Sequence, residues 1–321
     1  GQQTNDFFQR KIRQCTTFKI FILKTIETMK FKIYLSPVDH HKSKKNEGYD
    51  DYSATITSYF SKLLLKPHIS ITENGRSAIS QLLEHLKLQR HDEVWIATSF
   101  DYPNVSSCVT STIFNYCKPS RVLTNNTKLA LIIHEFGMVH PDTTEIIKLC
   151  KDRGISVAED CAHSFLSMNA EGKVTGQMAD WTIVSFPKFF PVEAGGLLAG
   201  KIPLNSANGF DHTVESDLMN VADLLSETQQ YAQQRVNLLK TLLERIQSLG
   251  FKSPLQNQSE GLVPWFFPIH VGKPSLYLSR LKELGVESCI WHGTDIICLP
   301  LHQYITDDEM EYMLSSLQSV N

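Results

Sequence analysis

The chain has 321 residues, enough for one large domain and a smaller one. With 42% hydrophobic and 20% charged residues it has an ordinary globular make-up. A formal net charge of −3 gives no electrostatic reason to expect nucleic acid or an anionic membrane as partner. Seven cysteines, at 15, 108, 117, 150, 161, 289 and 298, form no CxxC pair, and the twelve histidines form no HxxxH. That pattern predicts reduced thiols in a cytoplasmic protein and no metal site.

Residues 1–49 read as an N-terminal extension. Within it 18–29 is apolar at several positions, but Lys24 and Glu27 interrupt a run already too short to span a bilayer, so an amphipathic surface helix is expected. Met29 makes a plausible natural start, and Gly1 has the look of a scar left by tag removal. From about residue 70 helices and strands alternate. Apolar residues at 78, 79, 82, 83, 86 and 88 give 77–88 a helical face, and 93–98 (EVWIAT) reads as a strand. A helix over 104–115 and a short strand over 120–123 follow. LALIIH at 129–134 is a nearly unbroken apolar run, as in a strand buried on both faces of a parallel sheet. The spacing then predicts a helix over 142–153 ended by Gly154, and strands over 155–160 and 181–186. Strand, helix, strand at this spacing means right-handed crossovers. The pattern divides the chain into a large α/β domain over 50–204 and a small α+β domain over 205–321. Expected in the latter are helices within 214–249, a strand over 264–271, a helix over 276–285, a strand over 295–300 and a last helix over 305–318 capped by Thr306.

Ligands of an open parallel sheet bind beyond the carboxyl ends of its strands, and four sequence features fall there. Asn74-Gly75-Arg76-Ser77-Ala78 opens a helix and could offer N–H groups to a phosphate, or could simply be a helix start capped by Ser77. Phe100 and Tyr102 follow the 93–98 strand and could stack on a flat ring or pack within their loop. Glu159-Asp160 ends a buried strand, where a carboxylate needs a partner or serves as a cap. Ser185 and Lys188 follow the 181–186 strand. Flanking Phe186, Phe189 and Phe190 could desolvate the lysine and free its amine for imine chemistry. Gly195-Gly196 then permits positive φ or close backbone approach.

Taken in order, these stretches resemble the sugar aminotransferases named after DegT, DnrJ, EryC1 and StrS, within the fold-type-I enzymes that use pyridoxal 5'-phosphate (PLP). NGRSAI (74–79) looks like the family's phosphate turn SGTAAL, HDEVWIATSF (91–100) like GDEVIVPSFT, and IIHEFGMVHPD (132–142) like its HLFG segment. ISVAEDCAHS (155–164) looks like its strand I-x-VIEDAAQA, and ADWTIVSFPK with EAGG like GD-x-x-x-FSF…K…GEGG. The likeness runs over roughly 50–318. It implies an aspartate-aminotransferase-like large domain with a mostly parallel sheet and a smaller C-terminal domain. It also implies that Lys188 is the Schiff-base lysine and that Asp160 holds the ring nitrogen. His163, where the family has Gln, would meet the ring hydroxyl. Gly75, Arg76, Ser77 and Ser185 would hold the phosphate, and Phe100 or Tyr102 would stack on the ring. The implied activity is amination of a nucleotide-linked keto-sugar from an amino-acid donor by a cytoplasmic homodimer.

Three departures stand out. Only two residues separate Ser185 from Lys188, the segment after the glycines is short and lacks an N-x-R-M loop, and no Gly follows the Asp160 strand. Two alternatives therefore stand beside the transaminase: another PLP reaction such as dehydration, and a catalytically silent relative that binds a nucleotide sugar or a partner. A nicotinamide-binding Rossmann enzyme is disfavoured, because no GxGxxG follows an early strand.

Overall fold

The computed structural model describes residues 31–40, 51–102, 104–204, 209–257 and 261–320. The expected helix at 18–29 and the Met29 start lie outside them. The first helix, α1 (Tyr52–Leu64), is capped by the Asp51 side chain and buries Ile56, Phe60 and Leu64 at helical spacing. There follow β1 (His68–Thr72), α2 (Gly75–His85), β2 (Glu93–Thr98), α3 (Ser107–Phe114), β3 (Lys118–Ser120), β4 (Thr127–Ile133), α4 (Thr143–Asp152), β5 (Ser156–Asp160), β6 (Trp181–Ser185) and β7 (Gly196–Gly200). These seven strands form one sheet in the order β1-β7-β6-β5-β4-β2-β3. Strands β3, β2, β4, β5 and β6 run parallel, while β7 is antiparallel to both β6 and β1. The third strand lies at 118–120, ahead of the expected 120–123; β2 sets its place by pairing Trp95 with Ser120.

Alternating side chains of the sheet feed two cores. Leu129, Leu131, Ile133, Ala158 and Ile183 pack with α2 and α3 on one face. Ala130, Ile132 and Val157 pack on the other with Ile146 and Cys150 of α4. On that second face, towards β1, α1 meets α5 (His212–Leu224) through Phe60, Leu64, Leu218 and Val221. Thus α5 belongs with the large sheet, although it lies beyond residue 204; its apolar stripe covers β7 and the phenylalanines after β6.

The crossing to the second unit is α6 (Thr228–Ser248), whose first turns touch that phenylalanine cluster and whose later turns, at Leu239, Leu242 and Ile246, enter another core. That core is built on β8 (Phe266–His270), α7 (Pro274–Glu283), β9 (Cys289–Ile290), β10 (Ile296–Pro300) and α8 (Asp307–Gln318). The three strands are antiparallel in the order β8-β10-β9. Thr306 caps α8 in a reciprocal capping box with Glu309. Residues from the extension also belong here: Ile33 pairs beside Val286, and Leu35 N–H donates to Glu287 Oε2 at 2.8 Å. No described helix is long and apolar enough to cross a membrane.

Candidate active site

Parallel pairing places the carboxyl ends of β4, β5 and β6 side by side, with Ile133 opposite Asp160 and Asp160 opposite Ile183. Two carboxylates end β5 and point to opposite faces. Glu159 is fully buried and accepts N–H groups from Gly176 (2.9 Å), Met178 (2.9 Å) and Ala179 (2.7 Å). His134 completes the set. His140 N–H donates to His134 Nδ1 at 3.0 Å, so the ring proton sits on Nε2 and is donated to Glu159 Oε2 at 3.0 Å. Burial alone would raise the Glu159 carboxyl, but these donors hold it below its usual value. The buried Lys66 ammonium donates to Gly176 O on the same turn, and burial lowers its pKa to about 8. His134, Glu159 and Cys161 approach metal-ligand spacing, yet the lone pair of His134 and the Glu159 oxygens already hold protein donors. Glu159 therefore fixes the 176–179 turn.

Asp160 faces the other way. Its Oδ1 accepts Ala162 N–H at 3.0 Å, and burial pushes its carboxyl up, with the Lys188 ammonium opposing. Lys188 ends a short 3-10 turn (Phe186–Lys188) after β6, with Pro187 ahead of it. Burial lowers its amine, Asp160 partly offsets this, and its Nζ lies 4.7 Å from the centroid of the Trp265 ring. Asp160, His163 and Lys188 line one cavity with Glu135, Ser106, Trp291 and His292. His163 packs its ring 5.0 Å from that of Trp265, and burial drives its pKa well below the usual value.

The backbone under Lys188 is held by Arg235 of α6. The Arg235 guanidinium, 1% exposed, donates through Nη1 and Nη2 to Lys188 O (both 3.1 Å), to Pro264 O (3.1 Å) and to Phe189 O (3.2 Å). Its Nε donates to Gln303 Oε1 at 2.9 Å. Five donors on uncharged acceptors satisfy a buried cation without a carboxylate and pin one main-chain position.

The Asn74–Ala78 turn lies beside β6: a Cβ added at Gly75 would sit 3.3 Å from Ser185 Cβ. Asn74, not Ser77, caps α2, its Oδ1 accepting from Arg76 N–H (3.0 Å) and Ser77 N–H (3.1 Å). Gly196 allows this closeness, since a Cβ there would meet Val184 O at 2.7 Å and Asn74 C at 2.9 Å. Gly75, Arg76, Ser77 and Ser185 thus form one corner of the sheet's carboxyl edge. Phe100 and Tyr102 go elsewhere. They stack on each other at 5.2 Å and 21°, against the core of the second unit, and do not line the Lys188 cavity. Glu135 holds their loop by accepting Phe100 N–H at 3.1 Å; burial raises its carboxyl to about 7.

Sequence reasoning passed over Glu135, Trp265, Trp291 and His292. Glu135 stands where the likened segment has Leu, which was its one visible signal. The other three come from the residue just before β8 and from the β9–β10 hairpin, over a hundred residues from Asp160.

The family described as "Putative PLP-dependent aminotransferase" matches residues 56–244, more than half of the chain. The chain belongs to this family. A curated relative, GDP-perosamine synthase of Escherichia coli O157:H7, is 40% identical over 65 residues, covering 20% of this chain and only 17% of that protein. Solved structures align along far more of the chain. The aminotransferase TlmJ from Streptoalloteichus hindustanus has a TM-score of 0.69 at 15% identity, with 90% of this chain and 99% of that one covered. A DegT DnrJ EryC1 StrS aminotransferase from Brucella abortus has a TM-score of 0.69 at 12% identity, with 97% of each covered. At such identities the likeness shows the fold: the expected PLP fold type I, with a mostly parallel large sheet and a smaller second one.

Proposed function

We propose that this family member is a working aminotransferase that uses PLP to aminate a nucleotide-linked keto-sugar from an amino-acid donor, as a cytoplasmic homodimer. The observation that carries the reading is Lys188 and Asp160 on one cavity at the carboxyl ends of adjacent parallel strands. The chain's donor set fits the cofactor. A strand-end carboxylate and an amine face the same space, and His163 Nδ1 is buried there with no hydrogen-bond partner among the described residues. When bound, PLP supplies an electron sink that acidifies the carbon bearing the amino group. Asp160 would hold the ring nitrogen, keeping its charge close to a buried carboxylate. His163 would meet the ring hydroxyl, while Ser185 with Gly75, Arg76 and Ser77 would hold the phosphate. Lys188 Nζ would bind the cofactor's carbonyl carbon and carry the proton, a task suited to an amine whose pKa burial has lowered. Arg235, gripping Lys188 O, keeps that nitrogen in register with Asp160. The sugar class rests on the names of the relatives and on the pairing in one cavity of the Trp291 ring with the polar side chains of Ser106, His163 and His292.

The test is the visible absorption of the protein with PLP. Wild type should show a band that Lys188→Ala lacks, and borohydride reduction should place the cofactor mass on Lys188. Addition of L-glutamate alone should move the band to that of pyridoxamine phosphate. A Lys188→Ala protein with the wild-type band would overturn the assignment.

A further inference from the structure

The hairpin between β9 and β10 carries a residue that neither the fold nor the cofactor requires. Thr294 N–H donates to Trp291 O at 2.8 Å, closing a turn whose central residues, His292 and Gly293, both have positive φ, +36° and +78°. Such turns favour Asn or Gly at the first central position, and an imidazole there is strained. The turn is otherwise fully tied. Thr294 Oγ1 donates to Trp291 O at 2.7 Å and accepts Ile296 N–H at 3.1 Å, and Trp291 N–H donates to Ile296 O at 2.9 Å. Gly293 abuts the loop before α3, where an added Cβ would meet Asn104 Nδ2 at 2.9 Å. The hairpin tip is therefore wedged against the first unit, and His292 is turned into the Lys188 cavity. Its ring lies 4.0 Å from that of Trp291, and its Nε2 is buried with no hydrogen-bond partner among the described residues.

Strain at a residue whose polar atom is left unmatched points to a ligand as the missing partner. A neutral imidazole offers one N–H and one lone pair, which matches a hydroxyl. Burial and the nearby Lys188 charge favour that neutral form. A substrate carboxylate would instead call for a cation, and Lys188 is the one cationic side chain among the described residues lining the cavity. The Trp291 ring beside it adds an apolar face of the kind on which a sugar ring packs.

We propose that His292 is the specificity-determining residue of this site, seating a hydroxyl of the sugar acceptor, and that the amino donor's carboxylate is not its ligand. This rests on the aminotransferase reading above. The test is calorimetric titration of the PLP-loaded protein with two probes: GDP-mannose, which carries an uncharged hexose on an anionic diphosphate, and glutarate, the dicarboxylate skeleton of glutamate. His292→Ala should weaken GDP-mannose about tenfold, the loss of one matched hydrogen bond. His292→Asn, which tolerates positive φ and keeps a donor and an acceptor, should recover most of that. Glutarate should change less than twofold in either variant. His292→Gly relieves the backbone strain, so it should melt above wild type yet still bind GDP-mannose weakly. Cofactor uptake is scored separately by the visible band, so a failure of the PLP reading is distinguished from a failure at His292. Wild type that does not bind GDP-mannose, a His292→Ala protein that binds it unchanged, or an equal loss for glutarate overturns the proposal.

Discussion

Replacing Glu159 with Gln separates the two carboxylates that end β5. Glu159 accepts four N–H groups in a fully buried setting: His134 Nε2 and Gly176 on one oxygen, Met178 and Ala179 on the other. A glutamine amide has one oxygen and one NH2, so in either orientation two donors face a donor. His134 cannot escape by changing tautomer, because its Nδ1 already accepts His140 N–H. Two unsatisfied buried donors cost about 1–3 kcal/mol each. Lys66 also loses a nearby compensating charge. A loss of roughly 3–5 kcal/mol follows, the range for breaking a buried charged network. In a chain of this size that lowers the melting temperature by roughly 5–10 °C. The assay is thermal and urea unfolding of the apoprotein followed by circular dichroism. Asp160→Asn is the companion: it removes a carboxyl that burial disfavours, so its apoprotein should melt at or above wild type while its cofactor band is lost or shifted. A Glu159→Gln protein melting within 2 °C of wild type, within the scatter of small effects, would refute the division of labour between the two residues.

Lys188 gives a pH-dependent case. Its pKa is lower in the folded chain than in the unfolded one, so the folded state binds fewer protons and the apoprotein loses stability as pH falls through the window between those two values. Lys188→Met should therefore be more stable than wild type in urea at pH 8, and the difference should shrink towards pH 10.5, near the unfolded value of about 10.4. Arg235→Lys keeps the charge but cannot span Gln303, Lys188 O, Pro264 O and Phe189 O together; a loss of about 3 kcal/mol in urea unfolding is expected, with weaker PLP retention in dialysis. Gly196→Ala should leave little folded protein, because its Cβ collides with backbone on two sides. Gly172→Ala, at φ +77° in open space, should cost only about 1 kcal/mol. Expression in the soluble fraction and melting temperature check both.

How much could be read from the chain follows from the range of the forces involved. Strand β4 was legible because burial on both faces leaves an unbroken apolar run, β2, β5 and β6 because each carries a shorter apolar stretch at the spacing of alternating strands and helices, and α8 because its cap lies in four consecutive residues. Strand β7 was not: GLLAG is short and glycine-rich, and its strand character comes from pairing with β6 and β1 on either side. Helix α1 and strand β1 precede the stretch where alternation becomes plain. Lys188, Asp160 and Ser185 could be proposed because each lies at or just beyond the end of a recognisable strand. Trp265, Trp291 and His292 could not, since their place depends on how the second unit meets the first. Phe100 and Tyr102 sit in the expected loop, but pairing with each other and with Phe136 draws them towards the second unit's core.

Arg235 has a further consequence for motion. It lies on α6 between Tyr231 and Ala232, which pack with the large sheet, and Leu239 and Leu242, which pack with the small one. A rotation of the second unit pivoting on this part of the helix would carry Trp291 and His292 through a wide arc. The peptide under Lys188, clamped at the pivot, would scarcely move. Under such a rotation the floor beneath Lys188 and the roof that carries Trp291 and His292 would be uncoupled.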